Sequence, residues 1–521
     1  MMQSTLLAID CGTQSIRALL FNLGGSLLES AKIPYSPYFS EKPGWAEQNP
    51  EVFWEGLIKA CLQLRRQNPA AFGALAGMGV TTQRDSMVCV DRSGNSLRPV
   101  ITWLDQRKAK PVYRPRGAAA LLFHGIGMHS ALMKSQCDGK SNWIRQNQPR
   151  LWEKCHKYLQ VSGFLHHRLT GDFVDSKASQ IGHIPINYKT RDWAKPSALN
   201  AKLFPVEPEK LPELVEPGTL IGRVHRQAAE ETGLPEGLKV LACGSDKGCE
   251  TLGMGVLDQS MASLSFGTTA TVQTTARRYF EPVRFMPAYP APLPGSWNPE
   301  VEIFRGYWMI TWFQEQFGYR EVLKSQHCGR SPEELLDELL KTVPPGSMGL
   351  LVQPYWSPGL KHPMAKGAMV GFGDIHDRAY VYRAMVEGLS YALREGLHSL
   401  ETRGKAKIKQ AAVSGGASRS DEICRISADI FGVPIVRGNT WETSGLGAAL
   451  ITSVGLGIHG SFETAVEQMV HYHDTFYPDP RHRELYDSLF AIYKKIYPTM
   501  RQLYQEIGAA VGYPDPVLEV S

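Results

Sequence analysis

Two patterns of apolar positions alternate along this chain. Short runs bounded by Gly, Pro, Ser or Thr predict buried strands at Leu6–Ile9, Met78–Thr81, Lys239–Cys243, Ala262–Phe266, Ala411–Ser414 and Pro434–Val436. Apolar residues at helical spacing predict helices: Phe164 to Leu169 closing at Gly171, the Ile423/Ile426/Ile430 face, Ala379–Leu400 and Tyr486–Ile507. Gly445–Ile458 reads as a buried helix too short to span a bilayer. Gly24-Gly25, Pro217-Gly218, Leu234–Gly237 and Pro344–Gly349 read as turns, the last leading into a strand at Leu350–Val352. The Pro-rich stretch from Phe280 to Pro299 reads as a loop over a cleft.

Two of the strands run into the same device. Leu6–Cys11 is followed by Gly12-Thr13-Gln14 and a second β-prone run. Ala262–Phe266 is followed by Gly267-Thr268-Thr269 and another. A strand, a Gly-Thr turn and a strand make a hairpin whose tip offers backbone N–H groups and a hydroxyl to an anion. One such hairpin is ordinary turn chemistry, whereas two can hold one polyphosphate. A third glycine turn, Ser414-Gly415-Gly416-Ala417, lies between a strand and an amphipathic helix. There bare backbone can lie flat against a planar ring and the helix dipole favours an anion.

Composition narrows the class. A chain of 521 residues is long for one core and suits two large domains. The formal charge of +5 is small against 56 basic and 51 acidic residues, with no basic run, so nucleic acid and membrane surfaces are not expected partners. Nine scattered Cys without a C-x-x-C pair fit a reducing compartment. The start, Met1-Met2-Gln3-Ser4-Thr5, runs straight into a strand without a signal-peptide pattern, so the expected location is cytoplasmic.

Together these segments resemble the FGGY family of carbohydrate kinases, within the sugar kinase–actin–Hsp70 superfamily, from about Leu6 to about Val470. Asp10-Cys11-Gly12-Thr13 with Arg17 is similar to the family's first phosphate motif and Phe266–Thr269 to its second. Gly415-Gly416-Ala417 is similar to the adenosine motif, and Glu442–Ala449 to the acid and small-residue helix that follow it. Gly244-Ser245-Asp246 is similar to the segment with the catalytic aspartate, and Val100–Arg107 to the strand and polar end after the sugar-binding strand. Lys140–Asn147 and Gly367–Glu387 resemble the two signature stretches, with departures at Cys137, Ser141, Phe372 and Tyr380. The resemblance implies two actin-like (ribonuclease H-like) α/β domains with a central cleft. Their expected bounds are 1–256 for sugar and phosphate and 257–521 for adenosine with a C-terminal helix.

The resemblance also implies roles. ATP would meet Gly12, Thr13, Gln14, Arg17, Gly267, Thr268, Thr269, Gly415, Gly416, Ala417 and Ser420. Asp10 would hold Mg²⁺, where the plain alternative is an aspartate capping the turn. Asp246 would take the proton of the acceptor hydroxyl, and a helix N-cap is the alternative or additional role. Gln83, Arg84, Asp85, Trp103 and Lys247 are the acceptor-side candidates. Arg84 with Asp85 leans toward the polyol-gripping pair of glycerol kinases, and Ser418–Ser420 toward xylulokinases. Trp103 is a pocket wall or a core residue, and Lys247 meets an acidic acceptor or points to solvent. The expected activity is ATP-dependent phosphorylation of a ketose or polyol. A sugar-acid kinase and a silent nucleotide-binding regulator are the alternatives. A homodimer is compatible with that reading. His166-His167 and His471–His473 lack metal-ligand spacing, and Cys243 and Cys249 read as small buried residues.

Overall fold

A computed structural model describes residues 4–125, 128–357, 362 and 364–512, so Met1-Met2-Gln3 lie outside the described residues. The chain forms two compact units. The first comprises 1–255, 289–298 and 442–471, and the second 256–288, 299–441 and 472–521. Two segments therefore leave the simple division at 256/257: the stretch 289–298 and the helical stretch 442–471 belong with the first unit.

The first unit is built on a six-stranded sheet. Strand β1 (Thr5–Cys11) turns back into β2 (Ser15–Asn22), which pairs with β3 (Leu27–Pro34). Helix α1 (Glu51–Gln67) packs on this hairpin. Strand β4 (Leu75–Thr82) runs parallel to β1. Strands β5 (Leu220–Arg223) and β6 (Lys239–Leu241) complete the order β3-β2-β1-β4-β6-β5. Helix α2 (Asp246–Gly253) follows β6. Leu7, Ile9 and Cys11 of β1 pack with Met78 and Val80 of β4 and Phe53, Leu57 and Cys61 of α1 in one core. A central strand buried on both faces has no need for polar alternation, which is why β1 reads as a continuous apolar run.

The second unit repeats the plan. Strands β7 (Met261–Phe266) and β8 (Ala270–Gln273) form the second hairpin, and β8 pairs with β9 (Glu300–Ile303). Helix α3 (Arg378–Gly404) is the long central helix. Strand β10 (Gln410–Ser414) lies parallel to β7. Helix α4 (Asp421–Phe431) buries Ile423, Ile426 and Ile430, and β11 (Ile435–Gly438) lies parallel to β10. The chain then contributes helix α5 (Thr443–Gly455) to the first unit. It returns as β12 (Tyr472–Phe476) and helix α6 (Arg483–Val511). The order β9-β8-β7-β10-β11-β12 has the same succession of antiparallel and parallel pairings as the first sheet. Each unit thus has the expected actin-like α/β plan. Phe313 is fully buried in the second unit's core, with its ring 4.8 Å from that of Tyr382.

The segment expected as a plain loop holds a short hairpin, Tyr289–Pro290 paired with Trp297–Asn298. Its Trp297 indole donates to the Tyr188 carbonyl at 2.7 Å. Its Pro292 lies so close to Gly244 and Gly248 that a Cβ on either would fall within 2.9 Å of the ring. Among the described residues no helix is long and apolar enough to cross a membrane.

Candidate active site

In the first unit the tip of the β1–β2 hairpin is laced from below. The Thr13 hydroxyl donates to the Gln83 side-chain oxygen at 3.0 Å, and the Trp103 indole donates to the same Thr13 oxygen at 2.9 Å. Gln48 donates to the Thr13 carbonyl at 3.1 Å, and the Tyr35 hydroxyl to the Gly12 carbonyl at 2.6 Å. Gln83, expected on the acceptor side, is buried and accepts from Thr13, so it shapes the Gly12-Thr13 turn. Trp103 is 46% exposed, so it is no core residue. Gly12 has open space beside it: a Cβ there would meet only the Ser15 carbonyl, at 3.5 Å. The Thr13 and Gln14 amides have no hydrogen-bond acceptor among the described residues.

Asp10, at the end of β1, caps no turn. Its carboxylate accepts from Arg17 at 3.1 Å, and Arg17 also approaches Glu442 at 3.6 Å. Burial, the largest influence, pushes the Asp10 carboxyl up to about 6. Arg17 pulls it back, while Asp246 and Glu442 add to the rise. Among the described residues no group of three acidic, His or Cys side chains is arranged to hold a metal by itself. A lone buried carboxylate with two acidic neighbours and one counter-cation suits Mg²⁺. That ion binds through one or two carboxylates and takes its other ligands from water and substrate phosphates.

Asp246 opens α2, directly after β6. The cap is Ser245, whose hydroxyl accepts from the Gly248 amide, so Asp246 is not needed for capping. Arg84 Nε stands 4.0 Å from Asp246 Oδ1, and the Asp246 side chain is 30% exposed. Burial raises its carboxyl above the ordinary aspartate value, while Arg84 and Lys247 restrain the rise. The guanidinium of Arg84 lies over the Tyr289 ring at 5.3 Å.

Asp85 does not pair with Arg84. It takes a left-handed backbone at φ 52 and turns its carboxylate to Lys140 at 2.7 Å and His183 at 2.8 Å. Burial works against its charge, but Lys140 and His183 outweigh it and hold the carboxyl well below the usual range. Lys247 points neither to solvent nor at an unmatched acid: it reaches Glu250, one turn along α2, at 2.7 Å. Sequence reasoning passed over His183 and quoted Lys140 only as a signature residue. The lysine of that signature-like stretch was the available signal, whereas His183 has none in its surroundings.

In the second unit the other two glycine turns meet. Gly415 takes φ 90, and a Cβ on it would strike the Phe266 carbonyl carbon at 2.7 Å. That contact seats the Gly415-Gly416 turn against the Gly267 hairpin. Gly416 has nothing within 4 Å of a Cβ position, so one face of the turn is bare. Arg437 clamps the turn by donating to the carbonyls of Ser418 at 2.9 Å and Arg419 at 3.2 Å. Ala417 lies within the short 3₁₀ turn that follows, and Ser420 caps α4 by accepting from the Ile423 amide. Thr268 is exposed at its hairpin tip, and Thr269 donates to the Phe304 carbonyl at 3.2 Å. His166, discounted as a metal ligand, is fully buried 3.1 Å from Asp175. Cys243 and Cys249 are fully buried, and burial pushes the Cys243 thiol up to about 12.

These sites can be set beside known proteins. The chain is 28% identical over 496 residues to the uncharacterized sugar kinase YgcE of Escherichia coli (strain K12), covering 94% of this chain and 92% of that one. It is 27% identical to the xylulose kinase of Lactococcus lactis subsp. lactis (strain IL1403), covering 96% and 98%. It is 24% identical to the gluconokinase of Bacillus subtilis (strain 168), covering 90% and 91%. Among solved structures, a gluconate kinase from Lactobacillus acidophilus shares the fold at a TM-score of 0.82, with 20% identity over 97% of this chain and 99% of that one. A xylulose kinase from Rhodospirillum rubrum does so at 0.80, with 23% identity over 96% and 100%. The models of the N-terminal and C-terminal domains of the FGGY family of carbohydrate kinases match residues 5–253 and 262–456. The chain belongs to that family and is a sugar kinase.

Proposed function

We propose that the protein transfers the γ-phosphoryl group of ATP to a hydroxyl of a neutral small carbohydrate, a ketose or polyol, with Asp246 as general base. The observation that carries this is the pairing of Asp246 with Arg84 at 4.0 Å. As the acceptor oxygen forms its bond to phosphorus, its proton passes to an Asp246 oxygen, and the bond to the ADP oxygen breaks. A desolvated carboxylate is a stronger proton acceptor than an ordinary aspartate, and the neighbouring guanidinium keeps it ionised until the proton arrives.

The phosphates belong, in this reading, to the Gly12–Arg17 and Gly267–Thr269 turns and the adenosine to Gly415–Ser420. Asp10 would hold the nucleotide's Mg²⁺, which supplies charge neutralisation on the phosphates. The pairing of Lys247 with Glu250 favours a neutral acceptor over a sugar acid, because an incoming carboxylate would have to displace Glu250. The comparison with a xylulose kinase supports the ketose class, and that with a gluconokinase keeps the acid class in the test.

The test is ADP release with a panel of pentuloses, polyols and aldonic acids, followed by Asp246→Asn on the best acceptor. The expected result is turnover of a neutral acceptor and a loss of roughly 10²–10⁴ in kcat in the variant with ATP affinity kept. Wild-type turnover in the folded Asn variant would remove Asp246 from its role. Turnover of aldonic acids alone would replace the acceptor class.

A further inference from the structure

We propose that His183, held by Asp85, selects the acceptor by accepting a hydrogen bond from one of its non-reacting hydroxyls at Nε2. This rests on the reading of Asp246 and Arg84 as the acceptor site.

The imidazole is placed with unusual care for a partly exposed side chain. Asp85 Oδ2 binds His183 Nδ1 at 2.8 Å, and Asp85 Oδ1 accepts from the His183 amide at 3.0 Å. The Asp85 amide donates back to the Ile181 carbonyl at 3.2 Å. Between them Gly182 takes φ 138, and a Cβ there would lie 2.3 Å from Asp85 Oδ1, so only glycine lets the two loops close. The Tyr188 hydroxyl clasps the same glycine, accepting from its amide and donating to its carbonyl, each at 3.0 Å. The ring stands edge-on to Phe204 with centroids 5.7 Å apart. Its side chain is one-third exposed, and Nε2 has no hydrogen-bond partner among the described residues.

A purely structural role leaves this arrangement unexplained. Asp85 already has a full counter-charge in Lys140, whose ammonium sits 2.7 Å away. The histidine is therefore not required to neutralise it. The tautomer that donates Nδ1–H to Asp85 turns a lone pair outward at Nε2, which suits a hydroxyl donor.

The histidine also belongs to the same wall as the proposed chemistry. Arg84 adjoins Asp85 in the chain and stands between Asp246 and the Tyr289 ring. Tyr289 packs on Tyr188 at 5.6 Å, and Tyr188 holds Gly182. Along this wall the charges of Arg84, Lys140 and Lys247 are matched by Asp246, Asp85 and Glu250. A charge-balanced wall with an outward-facing imidazole nitrogen fits an uncharged polyhydroxy acceptor, and a hydroxyl missing or inverted opposite Nε2 would leave that nitrogen unpaired.

The experiment compares His183→Asn with His183→Gln, using the best acceptor from the panel and its epimers. Asn keeps a donor within reach of Asp85 but withdraws the outer nitrogen, whereas Gln restores a polar atom at that distance. The expected result for Asn is a rise of roughly tenfold in acceptor KM and a loss of preference among epimers, with KM for ATP and Tm unchanged. Gln is expected to recover part of the acceptor KM. Unchanged acceptor KM and epimer preference in both variants would overturn the proposal, whether or not Tm falls. Asp246→Asn run alongside separates the two ideas. If it stays active, the acceptor site itself is misplaced. If it is inactive while both His183 variants behave as wild type, only the role of His183 fails.

Discussion

Asp10 works against the stability of the unliganded protein. Its folded-state pKa of about 6 exceeds the ordinary 3.8, so folding favours its protonated form. The stabilisation from that proton is complete below pH 3.8 and is lost as pH rises through 6. Asp10→Asn should therefore raise stability at pH 7 by up to about 3 kcal/mol, with the gain vanishing near pH 4, and should abolish turnover. Thermal melts of both proteins at the two pH values check this, and a less stable Asn variant at pH 7 would contradict it. Asp246 gives a kinetic counterpart. As the proposed general base, with its carboxyl raised by burial, it should place the acid limb of kcat/KM above the ordinary aspartate range. Removing the restraining cation by Arg84→Met should move that limb to still higher pH, besides raising the acceptor KM. A pH–rate profile whose acid limb stays put would show that Asp246 is not the titrating group.

At the scale of elements, α2 carries Asp246 and is positioned by α5, a helix from late in the chain. The two backbones touch through glycines. A Cβ on Gly447 would lie 1.9 Å from the Cys249 carbonyl oxygen, and one on Gly253 would lie 2.0 Å from that of Thr443. Neither clash is with a flexible side chain, so a helix must shift. Gly447→Ala should cost about 1–3 kcal/mol and lower kcat by moving Asp246, with KM for ATP less affected. Urea titration and steady-state kinetics together check it; a fully stable, fully active alanine variant would show that the contact is loose. Glu442–Ala449 was legible as a small-residue helix and Gly445–Ile458 as a buried one. Its partner was not, because a stripe of small residues states how close a neighbour comes and not which neighbour it is.

At the scale of the whole molecule, each unit needs its late segments locked to its sheet. In the second unit this lock includes Glu387, from the second signature stretch. Fully buried on α3, it accepts from the Gly346 amide, the Ser347 hydroxyl, Arg383 and the Tyr486 hydroxyl of α6, all at 2.9–3.0 Å. Glu387→Ala would strand the buried Arg383 charge and should cost about 3–5 kcal/mol. Equilibrium unfolding would measure it, and a cost below about 1 kcal/mol would mean that water replaces the carboxylate freely. The signature acid is thus explained by architecture and needs no part in the chemistry.

The sequence by itself determined both hairpins, the central strands of the two sheets, the helix face of Ile423, Ile426 and Ile430, the glycine turns and the acid after the sixth strand. These follow from apolar periodicity and turn chemistry, which act within a few residues. It also carried the family, through motifs whose spacing is local. The strands at Leu27–Pro34, Leu220–Arg223, Glu300–Ile303 and Tyr472–Phe476 and the helix at Glu51–Gln67 went unread. Only the tertiary structure decided that residues 289–298 and 442–471 join the first unit. It alone decided that Asp85 chooses Lys140 and His183 over Arg84, and that Lys247 folds onto Glu250. The physical reason is distance: a charged or hydrogen-bonding side chain binds whichever complementary group lies within about 3 Å. For Asp85 those groups lie 55 and 98 residues along the chain, brought near by packing that no local pattern records.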